Sequence, residues 1–438
     1  MSVHEQLFDR ARQYLPGGVS AAARAEVALG GPLFISRGDG ARLYDVDGRE
    51  FIDLSVSHGA SLLGHNHPKI NAAVRQALEM GTICSMDTRY HGELAEKICS
   101  MVPCMEMVRF TGSGTETTMH CVRVARAHTK RSLLVKFEGH FHGLHDYLLY
   151  NWFPQNIEKN PGQPRTLRCE SEGVPDGMKQ WVLALPFNDR EAVEDTLKAR
   201  ADEIAAIILE PINYNGGCIL PSPGYLEFLR EQCNKYGILL IYDEILSGFR
   251  TGTDCAQGFL GVTPDLCTLG KCLGGGAPIS VFGGKREIMQ QVTPLGGAIH
   301  SGTYNGHLFQ VLPALAALDE YSSPGFYDHI HGLAKKLYEG TNAIFSRSRL
   351  KARLQGVGAR FSLFFGIDRE VTDYETASRS DRSLGRAFRD GCFRRGVYLD
   401  ANGHAGFCSA FTEQDVDHVL GVFAEVTQEL EKDGEARL

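Results

Sequence analysis

An α/β fold built on a mostly parallel sheet is what this 438-residue sequence predicts, and three observations carry that prediction. After Glu50, short β-branched runs alternate with longer helical stretches, the signature of strand–helix–strand units. Some of the runs, such as Ile238–Tyr242, are apolar throughout, as a strand covered on both faces must be. The composition, 43% hydrophobic and 22% charged, is that of an ordinary globular enzyme.

Taken in order, the strand candidates are Met107–Thr111, Ser132–Phe137, Ala205–Ile212, Ile238–Tyr242, Leu266–Leu269 and Val281–Gly284. Helix candidates fall between them, for instance Glu116–Thr129 and Gly224–Tyr236. From about Leu312 the texture changes. A long helix leads into short strands around Ala359–Gly366 and then an amphipathic helix that begins near Glu413. The expected organisation is a large domain over residues 61–310 and a small α+β domain over 311–438, with residues 1–60 packing against the small one. Asn151–Gln180, rich in Pro, Gly, Asn and charge, reads either as a lid or as an ordinary surface insertion.

Net charge is −8 with no long Lys/Arg run, so neither nucleic acid nor a membrane surface is an expected partner. Apolar runs such as Ala205–Leu209 are too short to span a bilayer, and the N-terminus lacks an apolar signal core. The 12 cysteines are scattered without a CxxC pair. They read as reduced thiols of a cytoplasmic protein, neither a disulfide framework nor a metal site.

Three motifs carry chemistry. In Arg109-Phe-Thr-Gly-Ser-Gly-Thr115 a strand runs into glycines just as a helix opens. The free N–H groups and positive end of that helix suit a phosphate, although a plain strand-to-helix turn has the same look. No Gly-Lys-Ser/Thr follows, so this is not a Walker A loop. In Ile238-Leu-Leu-Ile-Tyr-Asp-Glu-Ile245 an apolar strand ends in Asp243, at the sheet edge where ligands of open α/β folds bind. A buried carboxylate there needs a cationic partner, such as a protonated ring nitrogen, unless it is a helix N-cap. In Leu269-Gly-Lys-Cys-Leu-Gly-Gly-Gly276, Lys271 follows the next apolar strand. Burial would ready its amine to form an imine; otherwise it is a surface lysine in a flexible loop. A phosphate cradle, a carboxylate for a ring nitrogen and an imine-forming lysine are together the parts that pyridoxal phosphate demands.

With these motifs the chain resembles the class III, fold-type I pyridoxal-phosphate aminotransferases, in particular glutamate semialdehyde aminomutase-like proteins. The resemblance runs over nearly the whole chain, through Leu15-Pro-Gly-Gly-Val19, Gly64-His-Asn-His-Pro68, Gly112-Ser-Gly-Thr-Glu116, Leu209-Glu-Pro211, Tyr242-Asp-Glu244, Leu269-Gly-Lys271 and Ser301-Gly-Thr303. It implies a large domain with a mostly parallel seven-stranded sheet and a pyridoxal 5'-phosphate cofactor. It also implies a homodimer whose subunits share their active sites. Carried over residue by residue, Lys271 is the Schiff-base lysine and Asp243 the partner of the ring nitrogen. Ser113, Gly114 and Thr115 hold the phosphate, and Thr303 adds a contact from the partner subunit. Phe141 stacks on the ring, His142 follows it, and Asn215 lies near the ring hydroxyl. His140, His142 and His145 also invite a metal reading, but their spacing fits no zinc motif and no metal is expected. His65 and His67 match a structural turn of the family.

The substrate end departs from the aminomutases. Arg24 matches the family's carboxylate-binding arginine, but His58 stands where the aminomutases carry a tryptophan and His404 where they carry a glutamate. An acid replaced by histidine leaves a pocket less negative. The expectation is therefore an aminotransferase acting on a small anionic amine, a β-amino acid, with a keto acid as acceptor. The alternatives are an ammonia-lyase or other lyase on an anionic amine such as an aminophosphonate, and an aminomutase of the glutamate semialdehyde type. A non-catalytic scaffold is the weakest reading, because all three motifs are intact.

Overall fold

Seven strands form the largest sheet of the computed structural model, which describes residues 1–26, 30–153, 166–400 and 405–435. In chain order they are β1 (Met107–Thr111), β2 (Leu133–Phe137), β3 (Val182–Leu185), β4 (Ile204–Leu209), β5 (Leu239–Glu244), β6 (Leu266–Leu269) and β7 (Ser280–Gly284). Across the sheet they lie β1-β7-β6-β5-β4-β2-β3. Pairs among β2 to β6 are parallel, and β7 is antiparallel to both of its neighbours, β1 and β6. Strand β1 therefore runs the same way as β5 and β6, and the loops that follow all three leave the sheet at one edge. The sequence-based strand set lacks β3. It is four residues long, lies at the sheet edge and follows a loop-rich segment, so periodicity had little to act on.

Strands β2, β4 and β5 are buried at every position, which explains their uninterrupted apolar runs. Helix α1 (Gly114–Thr129) packs Cys121, Val122, Val124 and Ala125 against Leu134, Ala206, Ile208, Ile241 and Phe282 of the sheet. Each aliphatic side chain fully buried in this way contributes about 1.5–3 kcal/mol. Ser113 caps α1 by accepting the Glu116 N–H (3.3 Å), and Lys130 ends it in a left-handed conformation.

The chain divides into two compact units. The sheet and α1 belong to the unit formed by residues 69–324 and 371–378; the other comprises 1–68, 325–370 and 379–438. The single long helix expected from about Leu312 is two helices, Leu308–Tyr321 in the sheet-bearing unit and Phe326–Ser346 in the other, interrupted around Pro324 and Gly325. The second unit carries a four-stranded sheet (Ile35–Asp39, Arg42–Asp45, Glu50–Asp53 and Val397–Tyr398) and a three-stranded one (Ala352–Val357, Arg360–Phe365 and Ala405–Gly406). Its core includes Phe345, Phe365, Phe388 and Phe423, whose rings meet at centroid distances of 5.1–6.0 Å.

Candidate active site

Strands β5 and β6 set the geometry. Their parallel register places Asp243 beside Thr268 and Glu244 beside Leu269, so Asp243 and Lys271 emerge from neighbouring strands at the same sheet edge. Asp243 is buried. Its Oδ1 accepts the Thr268 hydroxyl (2.8 Å) and the Ile245 N–H (3.1 Å), and its Oδ2 accepts from His142 Nδ1 (2.8 Å). A carboxylate offers about four acceptor positions. Donors among the described residues fill three, which leaves one for a further donor.

The bond to Asp243 fixes His142 with its proton on Nδ1, so the Nε2 lone pair lies buried with no donor among the described residues. Burial pushes the His142 pKa down, against the pull of Asp243, and keeps the ring neutral at ordinary pH. His140 and His145 are pushed down by burial as well, His145 to about 4. The sign follows from linkage: the unfolded chain takes up protons below pH 6.5 that the folded one refuses until about pH 4. The thermal unfolding midpoint is expected to fall as pH drops through that window, and His145→Gln to flatten this acid limb. Circular dichroism melts across pH check both.

Lys271 opens a single 3-10 turn, Lys271–Gly274, with φ +43. A left-handed non-glycine residue costs about 1 kcal/mol or more and persists only where its surroundings enforce it. Gly270 before it has no room for a side chain, since a Cβ there would lie 2.7 Å from Ser280 Oγ and 2.9 Å from Ile245 Cδ1. Tyr321 anchors the turn from above by donating to the Cys272 carbonyl (2.6 Å). Lys271 itself is half-buried.

The loop after β1 leads into the N-terminus of α1, where Gly114 and Thr115 present main-chain N–H groups that the helix cannot satisfy internally. The neighbouring segment is tied to it: the Leu144 N–H donates to Thr115 Oγ1 (3.1 Å) and Thr118 Oγ1 donates to the His142 carbonyl (2.7 Å). Phe141 meets Trp152 edge-on (5.1 Å, 64°) and donates its N–H to Glu210 Oε1 (2.9 Å). Asn215 Nδ2 donates to Glu210 Oε2 (2.9 Å). Burial raises the Glu210 pKa to about 8. Thr303 is exposed and opens the turn 303–306.

Arg24 and His58 lie in the other unit. Arg24 is exposed and donates to Ser20 Oγ; among the described residues no carboxylate pairs with it. His58 stands in a turn in which Val56, Ser57, His58 and Gly59 all have positive φ (44°, 57°, 52° and 83°). Buried Asp53 holds that turn, its Oδ1 accepting the N–H groups of Ser55 (2.8 Å) and Val56 (3.1 Å) and its Oδ2 facing His65 Nε2 (2.8 Å). His65, taken from the sequence as part of a structural turn, thus braces the loop that carries His58. His58 Nδ1 lies 3.3 Å from Oδ2 of buried Asp400, so its imidazole already has a carboxylate partner. His404 lies outside the described residues, as does the stretch 154–165 of the expected lid. The described ends of that segment are anchored, with Asn151 and Arg168 exchanging hydrogen bonds.

Sequence reasoning missed Thr268, Glu210 and Glu116. Thr268 has a readable signal, a lone hydroxyl in an apolar strand facing the carboxylate of the next. Glu210 and Glu116 stand inside recognised motifs, but their partners Asn215 and Asn305 emerge only in three dimensions. Ligand-type atoms of Glu116, His120 and His300 lie within 4.8 Å of one another. Arg123 donates to His120 Nδ1 (3.0 Å), which leaves the ring proton on Nε2, the atom that faces Glu116. That tautomer suits a packed hydrogen-bonded cluster better than a metal centre.

A helix end with unsatisfied N–H groups, a buried carboxylate and an amine from the adjacent strand are chemically suited to the phosphate, ring nitrogen and aldehyde of pyridoxal phosphate. The fold is that of a fold-type I pyridoxal-phosphate enzyme. The chain belongs to the class-III aminotransferases, a pyridoxal-phosphate-dependent family that it matches over residues 22–402. It is 41% identical over 425 residues to a glutamate-1-semialdehyde 2,1-aminomutase 2 of Lachnoclostridium phytofermentans, covering 96% of this chain and 98% of the relative. Among solved structures it resembles an omega-transaminase from Sphaerobacter thermophilus (TM-score 0.92, 31% identity, covering 98% of this chain and 97% of that one). It also resembles a β-phenylalanine aminotransferase from Variovorax paradoxus (TM-score 0.85, 27% identity, 96% and 92% covered).

Proposed function

We propose that this chain is an aminotransferase for a small anionic amine, a β-amino acid, with a keto acid as acceptor. Asp243 carries the cofactor part of the reading, through the one acceptor position its neighbours leave open. Bound pyridoxal phosphate supplies an electron sink for the substrate carbon that loses a proton. In this reading the start of α1, at Ser113, Gly114 and Thr115, holds the phosphate. Phe141 covers the ring, Asn215 lies near its hydroxyl, and Asp243 keeps the ring nitrogen protonated while His142 and Thr268 fix its orientation. Lys271 Nζ attaches the cofactor and moves the proton.

Arg24 supports the anionic substrate, since its guanidinium has no carboxylate partner among the described residues. His58, already beside Asp400, is assigned to shaping the pocket rather than to binding a second anion. His404 is proposed to complete the substrate end. A homodimer in which Thr303 reaches the partner's cofactor is supported by the exposed apolar side chains Leu295, Ile299 and Tyr304 near it in the sequence. Twelve free cysteines favour a reducing compartment, the cytoplasm, and no helix among the described residues is long and apolar enough to cross a membrane.

The aminomutase reading draws on the curated relatives, which are 40–41% identical. A panel of β- and γ-amino acids, each incubated with and without pyruvate or 2-oxoglutarate, separates the readings. Amine transfer that requires the acceptor is the expected result. Isomerised product without acceptor would establish the mutase, and ammonia without acceptor a lyase.

A further inference from the structure

We infer that Glu116 and Asn305 form a link that couples phosphate binding at the start of α1 to the position of the turn bearing Thr303. This deepens the homodimer reading and rests on it. Glu116 uses both oxygens. Oε2 accepts the N–H of Gly112 in the phosphate loop (3.0 Å), and Oε1 accepts Nδ2 of Asn305 (2.7 Å). Asn305 in turn builds the exposed turn: its N–H donates to the Gly302 carbonyl (3.1 Å), and its amide lies so close under Gly302 that a Cβ there would be 2.4 Å from Nδ2. Loop, carboxylate, amide and turn are thus in contact one after another.

The rest of the same face of α1 holds the approach to the turn. Arg123 donates to the Ile299 carbonyl (3.2 Å) and to His120 Nδ1 (3.0 Å), and His300 meets the His120 ring edge-on (4.7 Å, 79°). Residues 116, 120 and 123 recur at helical spacing and so form one clamp. The clamp fixes residues 299–300, whereas the turn 303–306 depends on Asn305. The sign of the coupling follows from charge. A phosphate dianion at the helix end adds negative potential beside the Glu116 carboxylate and strengthens its need for the Asn305 donor. The turn that a second copy meets is therefore firmer in the cofactor-loaded chain. Glu116 and Asn305 are positioning residues, since neither is assigned a contact with cofactor or substrate.

The test is sedimentation equilibrium of the full chain, with pyridoxal phosphate bound and after its removal. Loading is expected to tighten the wild-type dimer about tenfold, within the usual range of coupling between sites. By reciprocity the dimer binds the cofactor tighter by the same factor. The contact of Thr303 with the partner's cofactor supplies part of this difference directly, so in Asn305→Ala and in the volume-preserving Glu116→Gln the loaded dimer should be tighter by only about threefold. Hydrogen exchange at the amide of residue 305, which closes the turn onto the Gly302 carbonyl, gives a second readout: loading slows it in the wild type and leaves it unchanged in Asn305→Ala. Retention of the full tenfold difference in both variants would overturn the link. A wild type that stays monomeric with cofactor bound would instead overturn the homodimer reading, and the exchange data would still decide whether loop and turn are coupled.

Discussion

Replacing Lys271 by alanine is expected to lower turnover by roughly 10⁴-fold or more, because both the covalent anchor and the proton-moving amine are lost, and a positioned acid–base group alone is worth about 10²–10⁴. Lys271→Arg should fall nearly as far, since a guanidinium keeps the charge but offers no nucleophilic amine. The check is steady-state kinetics together with mass spectrometry after borohydride reduction, which should place the cofactor's mass on the peptide containing Lys271 and on none in the alanine variant. Lys136 is the rival. It is fully buried, and burial pulls its pKa down to about 7, which on acidity alone makes it the readier nucleophile. Its Nζ, however, donates to the carbonyls of Leu148 and Tyr150. Placement outweighs acidity here, and a label found on Lys136 would overturn the assignment.

Asp243→Asn should cost about 10²–10⁴ in kcat/KM, the scale of 3–5 kcal/mol lost when one partner of a buried charged pair is removed. The substitution keeps the shape and changes the hydrogen-bond sense. Thr268 and Ile245 still find an acceptor in the carboxamide oxygen, but the other terminus now brings N–H donors against His142 Nδ1. The proton on His142 then has reason to move to Nε2, so the proposed grip on the ring nitrogen is lost together with its charge. Cofactor affinity measured by fluorescence titration and the rate of cofactor amination by a single substrate should both drop. A variant with near-wild-type values would place the ring elsewhere.

Much of this site was legible because a parallel strand declares itself and its last residue lies where ligands bind. Asp243 and Lys271 follow from that rule alone, once Leu239–Glu244 and Leu266–Leu269 are recognised as strands. Thr268 escaped because its importance is a matter of register, and register between two parallel strands is not written in either. Glu116 escaped for a related reason, its partner Asn305 being close only after folding. At the substrate end, His58 in place of an aromatic residue suggested added capacity for an anion, but its partner Asp400 and the left-handed turn that carries it are features that no periodicity announces. The strand Val182–Leu185 escaped because four residues at a sheet edge are too few to show a period.

The order β1-β7-β6-β5-β4-β2-β3 also bears on how the molecule comes into being. Strand β1, from which the phosphate loop hangs, is an edge strand whose neighbour is β7, the last of the seven to leave the ribosome. Closing so long a loop is slow. Until β7 has been made, the chain thus holds this loop on a strand that has not met its neighbour. In the proposed reading the loop that would hold the phosphate is thus fixed late in the large sheet's assembly, and pyridoxal phosphate is expected to stabilise the finished sheet rather than to template it.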